Sequence, residues 1–134
     1  MGPFEQLAIP ESGMSTYRIW LNAISDNVAN INVARRTDEP AFQERYVVAK
    51  ARNYGDSAGA GVQVAEIRYG DPLGRLVYEP DNPLSDAEGY VRMPDINLSD
   101  QMTQMLVAQR AYQLNVSVFE RARDAYQRAL EIGR

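Results

Sequence analysis

Apolar positions near the N-terminus of the chain repeat with the spacing of an α-helix. From residue 14 to residue 31 they are three and four residues apart in alternation, which places their side chains on one helical face. These positions are Met14, Tyr17, Leu21, Ile24, Val28 and Ile31. The pattern predicts a helix of ~20 to 28 residues, depending on whether residues 4–9 belong to it. Ser12 and Ser15 are its candidate N-caps.

The C-terminal part carries a longer helical pattern with two apolar rows. The first row alternates four and three residues apart, which is a coiled-coil period, and comprises Leu98, Met102, Met105, Gln109, Tyr112, Val116, Phe119, Arg123, Tyr126 and Leu130. The second, narrower row comprises Val107, Ala111, Leu114, Val118, Ala122, Ala125, Ala129 and Ile132. A helix that is apolar on two faces needs more than one partner. The pattern predicts a helix of about 35 residues that ends at Gly133.

Between the helical segments the pattern changes to the two-residue period of β-strands. Five of the seven prolines and six of the nine glycines fall between Val33 and Asp95, so turns are concentrated there. Short segments rich in Val, Ile and Tyr lie between these turn residues and are predicted as strands. They span residues 45–51, 61–69, 75–79 and 89–93.

These elements predict an α+β protein in which two long terminal helices pair as an antiparallel, coiled-coil-like hairpin around a small β-rich insert. We expect residues 1–33 to form the N-terminal helical segment, residues 34–95 the insert, and residues 96–134 the long helix that packs with residues 1–33 as one helical domain. So small an insert cannot cover two long apolar helices, and contiguous exposed apolar surface usually marks an interface. A fold that covers every apolar side chain within the chain stays open as the alternative.

Composition and charge remove most catalytic chemistry. The 134 residues include no His and no Cys, and the formal net charge is −4 at pH 7. The commonest general base, the commonest metal ligand and the thiolate nucleophile are therefore missing. An acidic chain has no reserve of positive charge for a phosphate backbone, which disfavours nucleic-acid binding. We expect a protein that is not an enzyme, with no catalytic residue, no cofactor and no metal site.

Signals for membrane insertion are also missing from the sequence. The first seventeen residues contain no Lys or Arg and no long apolar stretch, unlike a Sec signal peptide. The longest apolar runs are far shorter than the roughly 20 residues that cross a bilayer. We therefore expect no direct membrane insertion, and export, if it occurs, without a cleaved signal peptide.

Two stretches resemble a known family. Residues 24–32, ISDNVANIN, resemble the N-terminal signature of bacterial flagellar rod, hook and hook-associated proteins. Residues 71–97, DPLGRLVYEPDNPLSDAEGYVRMPDIN, resemble the short proximal-rod members of that family. The resemblance continues along the C-terminal helix. The chain departs from the family at Gln101 and Gln113, where the family commonly has Glu.

The resemblance implies a structural subunit of the flagellar basal-body rod. Such a subunit polymerises through its terminal helices into the helical drive shaft, which transmits torque and encloses the export channel. Its partners would be other rod proteins, copies of itself and the flagellar type III export apparatus, and its location the periplasmic space. The alternative, from a different functional class of protein, is a cytosolic helical adaptor that binds a partner helix in a small closed complex.

The apolar rows and the resemblance together give two sets of candidate residues. The predicted subunit-packing residues are Leu21, Ile24, Asn27, Val28, Asn30, Ile31, Met102, Met105, Gln109, Arg110, Tyr112, Asn115, Val116 and Phe119. The insert motif comprises Arg75, Tyr78, Pro80, Gly89, Tyr90 and Pro94. Asparagines beside an apolar row can hydrogen-bond across helices and fix their register, as a buried polar residue does in a coiled coil.

Overall fold

Two helices flank four strands along the chain in a computed structural model that describes residues 3–53, 55 and 59–133. In chain order the elements are α1 (Pro3–Ala29), β1 (Arg45–Ala51), β2 (Val62–Tyr69), β3 (Arg75–Tyr78), β4 (Tyr90–Met93) and α2 (Leu98–Ile132). The α+β class with long terminal helices is confirmed. Each strand agrees with its predicted segment to within one residue at either end, because the period-two pattern and the flanking turn residues define it.

Helix α1 begins well before the predicted N-caps. It spans 27 residues from Pro3 and passes through Pro10. A proline suits the first helical position because its missing N–H would have no partner there, whereas Pro10 removes one bond from the helix interior. Ser12 and Ser15 therefore do not cap the helix. The Ser12 hydroxyl instead donates to the Ile9 carbonyl oxygen at 2.6 Å.

The chain divides into two compact units, and each takes part of both helices. The first unit comprises Met1–Leu21, Val47–Glu66 and Leu106–Arg134, and the second comprises Asn22–Tyr46 and Ile67–Met105. The organisation into three sequence segments, with the insert at residues 34–95, stays a prediction.

In the first unit, α1 is joined to a two-stranded sheet of β1 and β2. Ser12 is buried, and its hydroxyl oxygen accepts the N–H of Val62 at 3.0 Å. Beyond the strands, Arg52 donates its N–H to the Gly61 carbonyl oxygen at 2.8 Å and accepts the N–H of Ala60 at 3.0 Å. The Ser12 side chain thus joins α1 to Val62, the first residue of β2.

In the second unit, β3 and β4 form an antiparallel hairpin, and one face of it lies in the core. Tyr78 pairs with Tyr90 and Leu76 with Arg92. Six of the seven buried hydrophobic residues in the described part of the chain belong to this unit, namely Ala23, Ile24, Ala41, Val91, Met93 and Ile96. The seventh, Ala108, belongs to the first unit. The first unit thus has little apolar core of its own.

The two helices contact one another in both units and run in opposite directions. In the first unit a Cβ on Gly13 would overlap the Asn115 side chain, so α1 and α2 approach closely there. In the second unit Asn27 donates a hydrogen bond to Gln101 at 3.1 Å. The early part of α1 therefore meets the middle of α2, and the end of α1 meets the first turn of α2. A side chain at position 13 would displace the Asn115 side chain.

Candidate subunit interface

A buried polar network joins the end of α1 to the start of α2 and to β1. The Asn27 side chain donates to Gln101 Oε1 and to the Arg45 carbonyl oxygen, each at 3.1 Å, and accepts the Arg45 N–H at 2.9 Å. Gln101, which is 0% exposed, donates in turn to a Glu44 carboxylate oxygen. No buried side-chain nitrogen or oxygen among the described residues lacks a partner. The network fixes the register of the two helices, because a shift would leave these groups unpaired.

Glu44 is the charged end of this network. Its second carboxylate oxygen accepts the Tyr46 hydroxyl at 2.5 Å. That hydrogen bond raises the pKa of Tyr46 to about 12, because a tyrosinate would face a carboxylate. Asp26 pairs with the Arg45 guanidinium, which lies 5.6 Å from the centre of the Phe42 ring. Since Arg45 pairs with Asp26, Glu44 accepts its hydrogen bonds from two neutral groups, the Gln101 amide and the Tyr46 hydroxyl.

On α1, two of the predicted subunit-packing residues are buried within the chain. Ile24 and Asn27 are each 1% exposed, so their contacts lie inside the subunit. The other predicted packing residues of the N-terminal segment are half-buried: Leu21, Val28, Asn30 and Ile31. Asn30 donates to the Asp26 carbonyl oxygen at 2.8 Å, which satisfies a backbone acceptor at the helix end. Packing of the half-buried side chains against another subunit stays a prediction.

On α2, the inward face has the same four-and-three spacing as the first predicted apolar row and shares every second member with it. Its other members lie one residue earlier in the chain than the predicted ones. Its buried and half-buried members are Gln101, Met105, Ala108, Tyr112, Asn115, Phe119, Ala122 and Tyr126. Gln101 and Ala108 are 0% exposed, whereas the predicted Met102 is 49% exposed. The hydrogen bonds of Gln101 with Asn27 and Glu44 allow a polar side chain to take the inward position.

The predicted packing residues of α2 therefore divide between two environments. Half-buried against the chain itself are Met105, Tyr112, Asn115, Val116 and Phe119, and exposed are Met102, Gln109 and Arg110. Asn115 donates to the Ala111 carbonyl oxygen at 2.8 Å, within its own helix.

The opposite side of α2 exposes large apolar side chains. Leu106, Val107, Leu114 and Val118 are between 45% and 66% exposed. Two exposed arginines, Arg110 and Arg121, lie among them on the same side of the helix. We call these six residues the outer face. A cluster of exposed apolar side chains with interspersed arginines is typical of a protein–protein interface.

The insert motif shapes the β3–β4 hairpin. The Tyr78 ring meets the Tyr90 ring edge to face, with centroids 5.3 Å apart. Gly89 has φ +89°, and a Cβ there would lie 2.8 Å from Tyr78, so only glycine fits. Arg75 donates from Nε to the Pro94 carbonyl oxygen at 3.3 Å. The motif residues are thus brought together, with Gly89 and Pro94 buried and Tyr78 exposed.

The loop between β3 and β4 is organised by Asp86. A carboxylate oxygen of Asp86 accepts the N–H groups of Glu88 and Tyr90, each at 2.9 Å. The hydrogen bond from the Tyr90 N–H lowers the pKa of Asp86. The Pro80 carbonyl oxygen accepts the Ser85 hydroxyl at 3.3 Å. Within the described residues no group of three or more Asp or Glu side chains is placed to hold a metal ion.

Comparison with known proteins identifies the family of the chain. A family model described as "Flagella basal body rod protein" matches residues 7–35, and one described as "Flagellar basal body rod FlgEFG protein C-terminal" matches residues 87–132. The flagellar basal-body rod protein FlgC of Aquifex aeolicus is 34% identical over 131 residues, which cover 98% of this chain and 97% of the relative. The chain belongs to the FlgC family of flagellar basal-body rod proteins.

Two further FlgC relatives bracket the similarity. The protein of Escherichia coli O157:H7 is 34% identical over 113 residues, which cover 84% of each chain. The protein of Bacillus subtilis is 27% identical over 150 residues and covers 100% of each chain. The resemblance to proximal-rod proteins seen in the sequence is therefore confirmed.

Membership of the FlgC family makes the protein a structural component of the flagellar basal body, in the rod, where it assembles with other rod components. The two matched regions contain most of α1 and, with β4, all of α2. The same helices carry the buried polar network and the outer face. Among the described residues, no helix contains an apolar stretch that could span a bilayer.

The sequence pattern does not predict the inward roles of Gln101, Glu44 and Ser12. Gln101 lies one residue before a member of the predicted apolar row, and its partners are far away in sequence. The signal that could have pointed to it was the departure from the family's usual Glu. The pattern indicates Ser12 as a helix cap, whereas its hydroxyl bridges α1 and β2.

Proposed function

We propose that this FlgC-family protein polymerises through its terminal helices, with copies of itself and other rod proteins, into the helical drive shaft of the flagellum. In this role the shaft lies in the periplasmic space, encloses the export channel and transmits torque. Its subunits arrive through the flagellar type III export apparatus. The chain binds no cofactor and catalyses no reaction there.

The observation that carries this proposal is the outer face of α2. Fully burying a Leu or Val side chain is worth ~1.5–3 kcal/mol. Because about half of each of the four apolar side chains is open to solvent, covering each one adds on the order of 1 kcal/mol. A single helical contact thus supplies several kcal/mol, and repetition around a shaft multiplies it.

The distribution of core residues gives independent support. Among the described residues, Ala108 is the one buried hydrophobic side chain of the first unit, which contains most of both helices. Helices with so little core of their own gain stability when neighbouring subunits cover them. A heterologous contact between identical subunits extends the assembly instead of closing it.

The test is the substitution Leu114→Asp, with Gln113→Asp as the matched control. Both residues are exposed on α2, so neither change should lower the melting temperature of the purified subunit appreciably. We expect Leu114→Asp to abolish swimming and rod assembly, since it places a carboxylate within an apolar contact, and Gln113→Asp to preserve both. Val116 and Phe119 are unsuitable because they are half-buried against their own chain.

Normal rods and motility in cells whose only copy carries Leu114→Asp would contradict the proposal. A loss of motility with both substitutions would also count against it, because added negative charge, and not loss of the apolar Leu114 side chain, would then explain the effect.

A further inference from the structure

The β3–β4 hairpin has a second exposed apolar surface. Val77 and Val91, which are paired, lie on the face toward the core, and Val91 is 0% exposed. Leu76 and Tyr78 lie on the other face and are 56% and 62% exposed. The register places Tyr90 beside Tyr78 on that same face.

Arg92 extends this surface to the preceding turn. It lies opposite Leu76 and donates to the carbonyl oxygens of Leu73 and Thr37. The Leu73 side chain in this turn is 64% exposed. We call Leu73, Leu76, Tyr78 and Tyr90 the hairpin face.

The hairpin face and the outer face lie in segments of opposite charge. Residues 71–95, which contain the hairpin face, include six acidic and two basic residues, a net charge of −4. Residues 106–132 of α2 include four arginines and three acidic residues, a net charge of +1. Asp81 and Glu88 are exposed in the loop of the hairpin, whereas Arg110 and Arg121 lie on the outer face.

We propose that the outer face of α2 packs against the hairpin face of a second copy of this chain. The contact joins apolar to apolar surface and arginines to a region rich in carboxylates, which favours correct pairing and faster association. Two outer faces packed on each other would instead bring arginines together in a desolvated contact. This inference rests on the proposed polymerisation and names the surface that meets α2.

The contact is heterologous, because it uses two different patches of the same chain. Each subunit then offers a hairpin face to one neighbour and an outer face to another. Such a contact extends into an open helical assembly or a ring, according to the rotation that relates neighbours.

The absence of cysteine from the sequence makes disulfide cross-linking a direct test. One chain carries Tyr78→Cys and a separately tagged chain carries Leu114→Cys, and both are produced in flagellated cells that also make the wild-type chain, so that rods assemble. Isolated basal bodies are oxidised, and dimers that contain both tags are measured. We expect the yield to exceed tenfold that of the control pair, in which Gln113→Cys replaces Leu114→Cys.

A second pair, Leu76→Cys with Leu114→Cys, provides an independent readout on the same hairpin face. Rods that contain both tagged chains but give no dimer above control with either pair would overturn the inference and leave polymerisation intact. Dimers formed mainly between two Leu114→Cys chains would overturn it as well, because helices would then cover the outer face. Absence of the wild-type chain from isolated rods would overturn both this contact and polymerisation.

Discussion

Replacing Gln101 with glutamate should convert the buried network into a pH-dependent one. Gln101 is 0% exposed, donates to Glu44 and accepts from Asn27. A protonated glutamic acid at this position has the same two functions, since its hydroxyl donates and its carbonyl oxygen accepts. An ionised glutamate at position 101 has no proton to donate to Glu44, so two carboxylates would face each other. We therefore expect Gln101→Glu to be tolerated in acid and to destabilise the fold at neutral pH.

The loss of stability in Gln101→Glu can be calculated from the cost of keeping one proton on the pair formed by the new carboxyl group and Glu44. At an effective dielectric constant of about 20, two charges at hydrogen-bonding distance repel by roughly 5 kcal/mol, so the pair keeps one proton. Holding a proton at pH 7 on a group whose unfolded pKa is about 4.3 costs about 4 kcal/mol, at about 1.36 kcal/mol per pKa unit. Because the folded pKa is raised, stability is fully present below the unfolded value and is lost as pH rises toward the folded one.

The assay is urea unfolding of the purified subunit between pH 4 and pH 8. We expect Gln101→Glu to match the wild-type free energy of unfolding near pH 4 and to fall about 4 kcal/mol below it at pH 7. Gln113→Glu, which adds the same charge at an exposed position of α2, should stay within about 0.5 kcal/mol of wild type. A deficit for Gln101→Glu that does not change with pH would refute this reasoning, because it would reflect packing and not a shared proton.

Three further perturbations probe single contacts. Gly13→Ala should lower the free energy of unfolding by about 1–3 kcal/mol, since its methyl group would meet Asn115, and adding Asn115→Ala should recover part of the loss in urea unfolding. Ser12→Ala should cost about 1–3 kcal/mol in the same assay by leaving the Val62 N–H unpaired. The lowered pKa of Asp86 means that its contribution to stability is present above its ordinary pKa and is lost as pH falls through the folded value. Asp86→Ala should therefore speed hydrogen exchange of the loop amides at neutral pH, and an unchanged exchange rate would remove this role.

The elements of the fold are predictable because their signals are local. The heptad spacing of α2 and the alternation in the four strands come from residues within each element. The start of α1 is harder to predict, because Ser12 has the chemistry of a cap, whereas its partner Val62 is distant in sequence. Pro10 makes the start harder still, because a proline within a helical pattern ordinarily predicts a helix boundary, whereas α1 continues through it.

The inward face of α2 cannot be assigned from apolar spacing alone. An apolar row looks the same whether it faces its own chain or a neighbour, so the spacing places Met102 in the seam that Gln101 fills. Gln101 lies inward because it forms hydrogen bonds with Asn27 and Glu44. These partners are distant in sequence, so the spacing of apolar residues cannot predict them. In the proposed assembly, part of the apolar pattern of α2 contacts neighbouring subunits and not the chain itself.

The location of the buried core bears on when this subunit becomes rigid. Most of the buried apolar side chains among the described residues lie in the second unit, so that unit has its own source of stability in a free subunit. In the proposed assembly, the long helices of the first unit gain further burial when neighbouring subunits cover them. In that proposed assembly the helices of the first unit become rigid as the subunit docks, so mechanical strength develops at the place where the shaft is built.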